Sequence, residues 1–316
     1  MNLYQAPLRD MRFVLHELLN VEQHYTSIPA FAEVNRELVD SILDVGARFA
    51  EQELSPLNRS GDEEGCHYHD GTVTTPKGFK EAYAQYLDLG LGSLSAPQAY
   101  GGQGLPPSLD IAVGEMNGTA NWSWGMYPGL SRGAIETIKA HGTDAQKNTY
   151  LSKMTNGIWT GTMCLTESHA GSDLGLIRTK AIEQDDGSYA LHGTKVFISA
   201  GEHDMADNIV HIVLARLPDA PKGTKGISLF IVPKYLPDAG GEVGPRNGVH
   251  CGGIEHKMGI KASATCTINF DGATGFLIGE PNKGLQCMFT FMNAARVGTA
   301  VQGVCAAEGA FQGALR

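Results

Sequence analysis

Leu38, Ile42, Val45 and Phe49 recur at a spacing near four, the mark of a helix with one apolar face. That helix is expected to stop at Ser55-Pro56, because proline cannot continue the hydrogen-bond ladder. Lys77 to Leu89 and Leu109 to Met116 read as further helices, whereas Asn58 to Pro76, rich in Gly, Asp and His, reads as a loop. From about Trp159 to Ile278 the period falls to two. Asn208 to Ala215, Ile227 to Val232 and Ala264 to Phe270 are β-rich runs separated by Gly, Pro and Asp clusters. After Pro281 helical spacing returns through Leu285, Met288, Phe289 and Met292. The expected fold class is α+β and multidomain: a helical N-terminal domain (1–158), a β-barrel-like middle domain (159–280) and the beginning of a helical C-terminal domain (281–316). An apolar helix that ends without a following partner implies a chain cut inside that third domain.

Composition narrows the setting. At 316 residues, with 42% hydrophobic and 18% charged residues, the chain can bury a sizeable core and shows no sign of disorder. A net charge of −10 argues against nucleic acid or an anionic membrane as the main partner, but not against a phosphorylated ligand, whose local donors outweigh a global sign. The six Cys form no CxxC pair and several lie in apolar runs, which reads as reduced core thiols and a cytoplasmic location. Met1-Asn2-Leu3-Tyr4-Gln5-Ala6-Pro7 lacks the basic-then-apolar order of an export signal, and no run reaches about 18 apolar residues, so no membrane span is expected.

Two motifs carry the chemistry. Cys164-Leu165-Thr166-Glu167-Ser168-His169-Ala170-Gly171-Ser172-Asp173 puts small, hydroxylated and Gly residues where backbone and hydroxyl donors approach a planar ring and a pyrophosphate; on the residues alone it is also a strand end and a polar loop. Gly193-Thr194-Lys195-Val196-Phe197-Ile198-Ser199-Ala200-Gly201 reads as a strand whose Phe197 either joins the core or lies against a ring. Two strands and an Asp185-Asp186-Gly187 turn between the motifs allow one sheet to present both. The first motif resembles the flavin-binding signature of the acyl-CoA dehydrogenases, with His169 where Pro is common and Leu176 where a small residue is usual. The second resembles that family's ring-stacking segment, with Phe197 where Trp is usual.

The resemblance implies FAD as cofactor. Met163, Leu165 and Thr166 would contact its ring, Ser172 would lie near the pyrophosphate or the substrate's pantetheine, and Phe197, Ile198 and Ser199 would complete the set. Fixed donors suit a ring that gains negative charge on reduction. Ser95 to Gly104 resembles a turn of the family's first domain, and Tyr150 to Met154 the helix entering its second. Asn293-Ala294-Ala295-Arg296 resembles the start of the third domain, which implies Asn293 and Arg296 as substrate-binding residues, beside Ser172 of the first motif. Trp122 to Pro128 falls at the pocket-wall helix, so Trp124 and Tyr127 are expected to close an acyl pocket and favour short or thioether-containing chains. Tyr4 to Phe13 resembles the larger bacterial subfamily that includes 3-methylmercaptopropionyl-CoA dehydrogenases.

The activity implied is α,β-desaturation of an acyl-CoA thioester, with a base taking the α-proton and flavin N5 the β-hydride. Implied partners are the acyl-CoA substrate, an electron-transferring flavoprotein, and further copies in a homodimer or homotetramer. No catalytic base is expected in this chain. The family's usual Glu would lie beyond Arg316, Ala295 occupies the place of the minority Glu, and Glu167 is expected to anchor its own loop. An oxidase-type flavoenzyme and a catalytically silent binding subunit are the alternatives. Competing motifs are weaker. Gly129-Leu130-Ser131-Arg132-Gly133 fits a hydrolase elbow but sits in a helical pattern. Neither Cys66-His67-Tyr68-His69 nor His250-Cys251 has a second pair at zinc-like spacing, so no metal site is expected.

Overall fold

The chain begins with two short helices, α1 (Leu8–Arg12) and α2 (Val21–Thr26), and then the expected amphipathic one, α3 (Arg36–Phe49). This computed structural model describes residues 4–315; Met1, Asn2 and Leu3 of the amino-end reading, and Arg316, lie outside them. Asn35 caps α3 by accepting the Leu38 N–H at 2.9 Å, and Val39, Ile42, Leu43 and Phe49 are buried. Pro56 does not stop the run. A π-helical segment over Ala50–Leu54 leads directly into α4 (Ser55–Glu64), and Pro56 sits in the first turn of α4, where its missing N–H costs little. The expected loop after Asn58 is therefore helix as far as Glu64, followed by a small hairpin of β1 (His67–His69) and β2 (Thr72–Thr74).

After α5 (Phe79–Asp88) comes α6 (Pro107–His141), far longer than the predicted Leu109 to Met116. It is not one rod. Asn121 has φ −159° and ψ 89°, and Asp110 on one side of it is ion-paired with Arg132 on the other. A straight helix would hold those two residues about 33 Å apart at 1.5 Å per residue. The arms therefore fold back as a helical hairpin, and a methyl group on Gly125 would stand 3.9 Å from the Gly118 Cα. Asn121 makes the turn: its Oδ1 accepts from the Trp124 N–H at 3.1 Å and its Nδ2 donates to the Leu54 carbonyl at 3.4 Å. Ser131 lies inside the second arm, buried, so the G-x-S-x-G run forms no strand-to-helix elbow.

α7 (Asp144–Thr155), held by a Thr143–Gln146 capping box, leads into the strands. These are β3 (Trp159–Cys164), β4 (Lys180–Glu183), β5 (Tyr189–Ser199), β6 (Asn208–Ala215), β7 (Ser228–Pro233), β8 (Tyr235–Pro237), β9 (Val243–Arg246), β10 (Val249–Ile254) and β11 (Thr265–Ile278). The main sheet has the order β3-β6-β7-β11-β5-β4, with β10 also on β11, and β8 pairs with β9 apart from it. β11 is the pivot. Thr265–Gly275 pair with β5, with a register shift between Asp271 and Ala273, and Phe276–Ile278 pair with β7. The two half-sheets enclose Cys164, Leu191, Ile198, Phe230, Ile268 and Phe270. The expected order of helical domain, sheet domain and further helix holds, and the sheet does not close fully into a barrel, since β3 forms one of its edges.

α8 (Gly284–Ala314) packs on the second arm of α6, where a methyl on Gly133 would meet the Phe291 ring at 2.2 Å. All six cysteines are free thiols, five of them buried. Among the described residues there is no group of three or more His, Cys, Asp or Glu side chains arranged to hold a metal, and no helix is long and apolar enough to cross a membrane.

Asn121→Ala removes both the cap and a buried hydrogen bond, so a loss of about 1–3 kcal/mol in unfolding free energy is expected by chemical denaturation. A change within error would show that the arms turn without it.

Candidate active site

A buried ion pair joins the two motifs. The Lys195 side chain is fully buried, and its Nζ donates to the Leu165 carbonyl at 2.8 Å and to Glu167 Oε1 at 2.9 Å. Glu167, whose side chain is 5% exposed, also accepts from the Thr179 N–H (3.0 Å), the Thr179 hydroxyl (2.6 Å) and the Arg178 N–H (2.7 Å). Burial alone would raise the Glu167 carboxyl, but the ammonium and these donors outweigh it and hold the group below the usual carboxylate range. Burial draws the Lys195 ammonium down, and Glu167 opposes that. The Val196 N–H donates to the Thr166 carbonyl at 2.9 Å, bringing the first motif alongside the second. Arg216 secures the rest of the loop by donating to the carbonyls of Gly175, Ile177, Pro221 and Gly223.

The outer edge of β3 supplies donors. The Gly161 N–H points away from β6 and donates to Ser131 Oγ at 3.0 Å. The period of two along the strand sends the Met163 N–H out of the same edge, and Leu165 follows directly after the end of β3, where Lys195 holds its carbonyl. The Met163, Leu165 and Thr166 side chains are half-buried. Phe197 is 62% exposed at φ +60°, so its ring stands outside the core in a backbone region unusual for an aromatic residue. Ile198 faces the sheet core, which leaves its backbone alone for any contact, and Ser199 is half-buried. Ser172 is exposed in the loop beside Asp173, whose carboxylate accepts the Gly175 N–H at 2.9 Å.

A cavity of about 500 Å³ opens among the arms of α6, the ends of α5 and α7, and α8. Trp122, Trp124, Gly125, Met126 and Pro128 line it. Tyr127 does not: its hydroxyl donates to the Ala262 carbonyl and accepts from the Ala264 N–H, both at 3.0 Å, which ties the helices to the segment before β11. Asp110, bonded to Ser95 and Arg132, forms a charged but internally neutralised part of the wall. Asn293 and Arg296 bond each other at 2.8 Å on the exposed side of α8, with the guanidinium 5.5 Å from the Phe289 ring centre, and Ala294 and Ala295 between them line the cavity instead.

Residues 37–158 match the model of the acyl-CoA dehydrogenase N-terminal domain, and residues 162–273 that of the middle domain. The chain belongs to the acyl-CoA dehydrogenase family. It is 46% identical to a 3-methylmercaptopropionyl-CoA dehydrogenase of Ruegeria pomeroyi over 99% of its own length and 53% of that protein. Among solved structures, butyryl-CoA dehydrogenase from Megasphaera elsdenii matches with a TM-score of 0.73 and 27% identity, covering 88% of this chain and 67% of that one. An acyl-CoA dehydrogenase complexed with FAD from Bacillus anthracis matches with a TM-score of 0.70 and 26% identity, covering 87% and 43%. The chain spans about half the length of the curated relatives it matches, 53% and 50% for two of them.

Within this family member, sequence reasoning took Glu167 as a loop anchor, and the geometry agrees. It missed Lys195, although a charged residue between apolar strand neighbours is a signal of a buried pair, and it read Ser131 only as a false nucleophile.

Lys195→Met leaves the Glu167 carboxylate buried without its cation and is expected to cost about 3–5 kcal/mol, read by chemical denaturation. Because the folded carboxyl is depressed, its contribution is complete above the ordinary Glu value near ~4.3 and is lost as pH falls through the depressed value. Glu167→Gln should flatten the stability–pH curve in that acid window; an unchanged slope would mean the pair does not carry it.

Proposed function

We propose that the chain binds FAD along the outer edge of β3 and that the protein it represents desaturates an acyl-CoA at the α,β position. One observation carries this reading: Ser131, which accepts the Gly161 N–H at the β3 edge, also lines the 500 Å³ cavity, so the donor edge and an acyl-sized space meet at one residue. FAD, when bound, supplies the acceptor for the β-hydride. The chain's own residues do the rest of what can be assigned. The N–H groups of Met163 and Leu165 and the Thr166 hydroxyl offer donors to the polar rim of the ring, Phe197 offers an aromatic face, the Ile198 backbone and Ser199 complete the contacts, and Ser172 serves the pyrophosphate or pantetheine. Asn293 and Arg296 flank the substrate region.

The α-proton acceptor is assigned outside residues 4–315, since the carboxylates near the site are engaged. Glu167 has four donors, Asp110 holds Ser95 and Arg132, Asp173 caps its own turn and Glu136 pairs with Lys139. Trp122 and Trp124 narrow the cavity, which favours short or medium acyl chains, and the Ruegeria relative makes the 3-methylmercaptopropionyl thioester a candidate. Electrons leave to an electron-transferring flavoprotein, and the working form is a cytoplasmic homodimer or homotetramer.

Anaerobic titration of the flavin-loaded full-length protein tests the reading. Bleaching by butyryl-CoA, stronger than by palmitoyl-CoA, is expected. No bleaching across that range would sink the desaturation and favour a silent binding subunit; rapid reoxidation by oxygen would favour an oxidase. Thr166→Val and Ser199→Ala should each weaken flavin retention by about 1–3 kcal/mol, measured as the dissociation constant from flavin fluorescence. Full retention in the double variant would remove both from the site.

A further inference from the structure

A guanidinium just past the end of β6 has no carboxylate beside it. Arg216 follows Ala215, and its side chain donates only to backbone carbonyls, those of Gly175, Ile177, Pro221 and Gly223. It thereby clips the end of the first motif's loop to the segment 221–226, and a methyl on Gly175 would stand 3.4 Å from the Gly223 Cα. Each loop brings further cations. Arg178 follows Ile177 and Lys222 precedes Gly223, so both flank carbonyls held by the one guanidinium, and Lys180 and Lys225 come close behind. Thr179 turns its hydroxyl inward to Glu167, which sends Arg178 and Lys180 to the other side. Arg178, Lys180, Lys222 and Lys225 are exposed, and none of their side chains has a partner among the described residues. The segments 172–180 and 216–226 hold two carboxylates, Asp173 and Asp219, against five cations, a local reversal of sign on a chain of net charge −10.

The patch lies at a defined distance from the cavity. β3 and β6 run parallel, with Gly161 beside Val210 and Cys164 beside Val213. Gly161 is the residue bonded to Ser131 of the cavity wall, and Arg216 lies six residues beyond Val210, about 20 Å along the strand direction at 3.3 Å per residue. Cavity and patch are thus set at opposite ends of the β3–β6 pair, with Ser172 exposed in the loop that joins the patch to β3. An acyl-CoA has the same layout. Its acyl tail and thioester are at one end, a long pantetheine arm follows, and a pyrophosphate and a 3′-phosphate stand at the other. A phosphomonoester carries about −1.5 to −2 charges at pH 7, and Arg and Lys are its natural donors.

We propose that Arg178, Lys180, Lys222 and Lys225, organised by Arg216, form the subsite for the phosphates of the coenzyme A half of the substrate, the 3′-phosphate above all. This rests on reading the chain as one that takes acyl-CoA, and on nothing about the acyl tail. The pyrophosphate of the flavin cofactor offers related chemistry without a terminal phosphomonoester, and removing that one group separates the two sources.

Calorimetric titration of the full-length, flavin-loaded protein with CoA and with 3′-dephospho-CoA is the test. Wild-type protein is expected to bind CoA about tenfold more tightly, an advantage that shrinks as salt is added. In Lys222→Gln/Lys225→Gln the ratio of the two affinities should fall toward one, and in Lys222→Arg/Lys225→Arg it should persist. A packing defect would weaken both ligands alike and leave the ratio intact. Equal affinities in the wild type, or an undiminished ratio in the Gln variant, would overturn the subsite. If that variant, with its ratio undiminished, loses flavin, the cations serve the flavin's pyrophosphate; if it only slows electron delivery to an electron-transferring flavoprotein, they serve a protein partner. Titration reads binding without turnover, so the expected ratios in a protein whose flavin no thioester bleaches would leave the subsite standing while the desaturation falls. Absence of any CoA binding would overturn the subsite and the acyl-CoA reading together.

Discussion

The conformation of both motifs depends on burying the ammonium of Lys195. An unpaired cation there would be prohibitive, so Glu167 must be delivered to it with the correct rotamer and with its other lone pairs filled. Satisfying those lone pairs recruits Thr179 and Arg178, and the backbone around Glu167 closes on Ala170 through reciprocal hydrogen bonds of 3.0 Å. A loop of small and hydroxylated residues, which would otherwise wander, is thus given one conformation. The same ammonium holds the Leu165 carbonyl, so the strand end carrying the donors and the strand carrying Phe197 are fixed to a common point. Phe197 takes its positive φ where the register of β5 against β11 shifts, between the Ile198–Cys266 and Lys195–Ile268 pairs.

The helical layer obeys a different constraint, close approach. Gly118 leaves room for the Trp122 ring at the turn and for the Cys305 sulfur of α8, and Gly133 makes room for Phe291. Where the arms separate they leave the cavity, and where they press on the sheet Ser131 fills a hydrogen bond that an edge strand lacks. The space for a ligand and the contact that locates it are products of the same packing.

Much of this was legible in the chain. The apolar period found α3 and α5, the change to a period of two found the sheet, and the two motifs found the segments that do lie together. What the pattern hid has physical reasons. Pro56 carries the signal of a stop, but a proline in a first turn is compatible with helix, and nothing in the residues announces the π-helical turn before it. The glycines of α6 look like breakers, yet Gly118 and Gly133 act as packing positions within it, so its length was underestimated. Tyr127 was placed on the pocket wall from its neighbours, yet which side of a kinked helix a residue faces depends on the turn at Asn121, and its hydroxyl found backbone partners in the opposite direction. Asn293 and Arg296 bond each other on the exposed side of α8, and the small residues between them are the ones that meet the cavity.

The shared strand β11 has a consequence for the order in which the molecule assembles. The hairpin of α6 rests on contacts close in sequence, which form early and cheaply. β5 can pair with β4 soon after it is made, but its other edge waits for β11, whose residues follow β6 to β10 in the chain, and β7 waits for the last turn of the same strand. Until β11 arrives, Lys195 has its carboxylate but not its sheet. The region of the two motifs therefore becomes rigid only once β11 has been made, and it is exposed when β11 lets go.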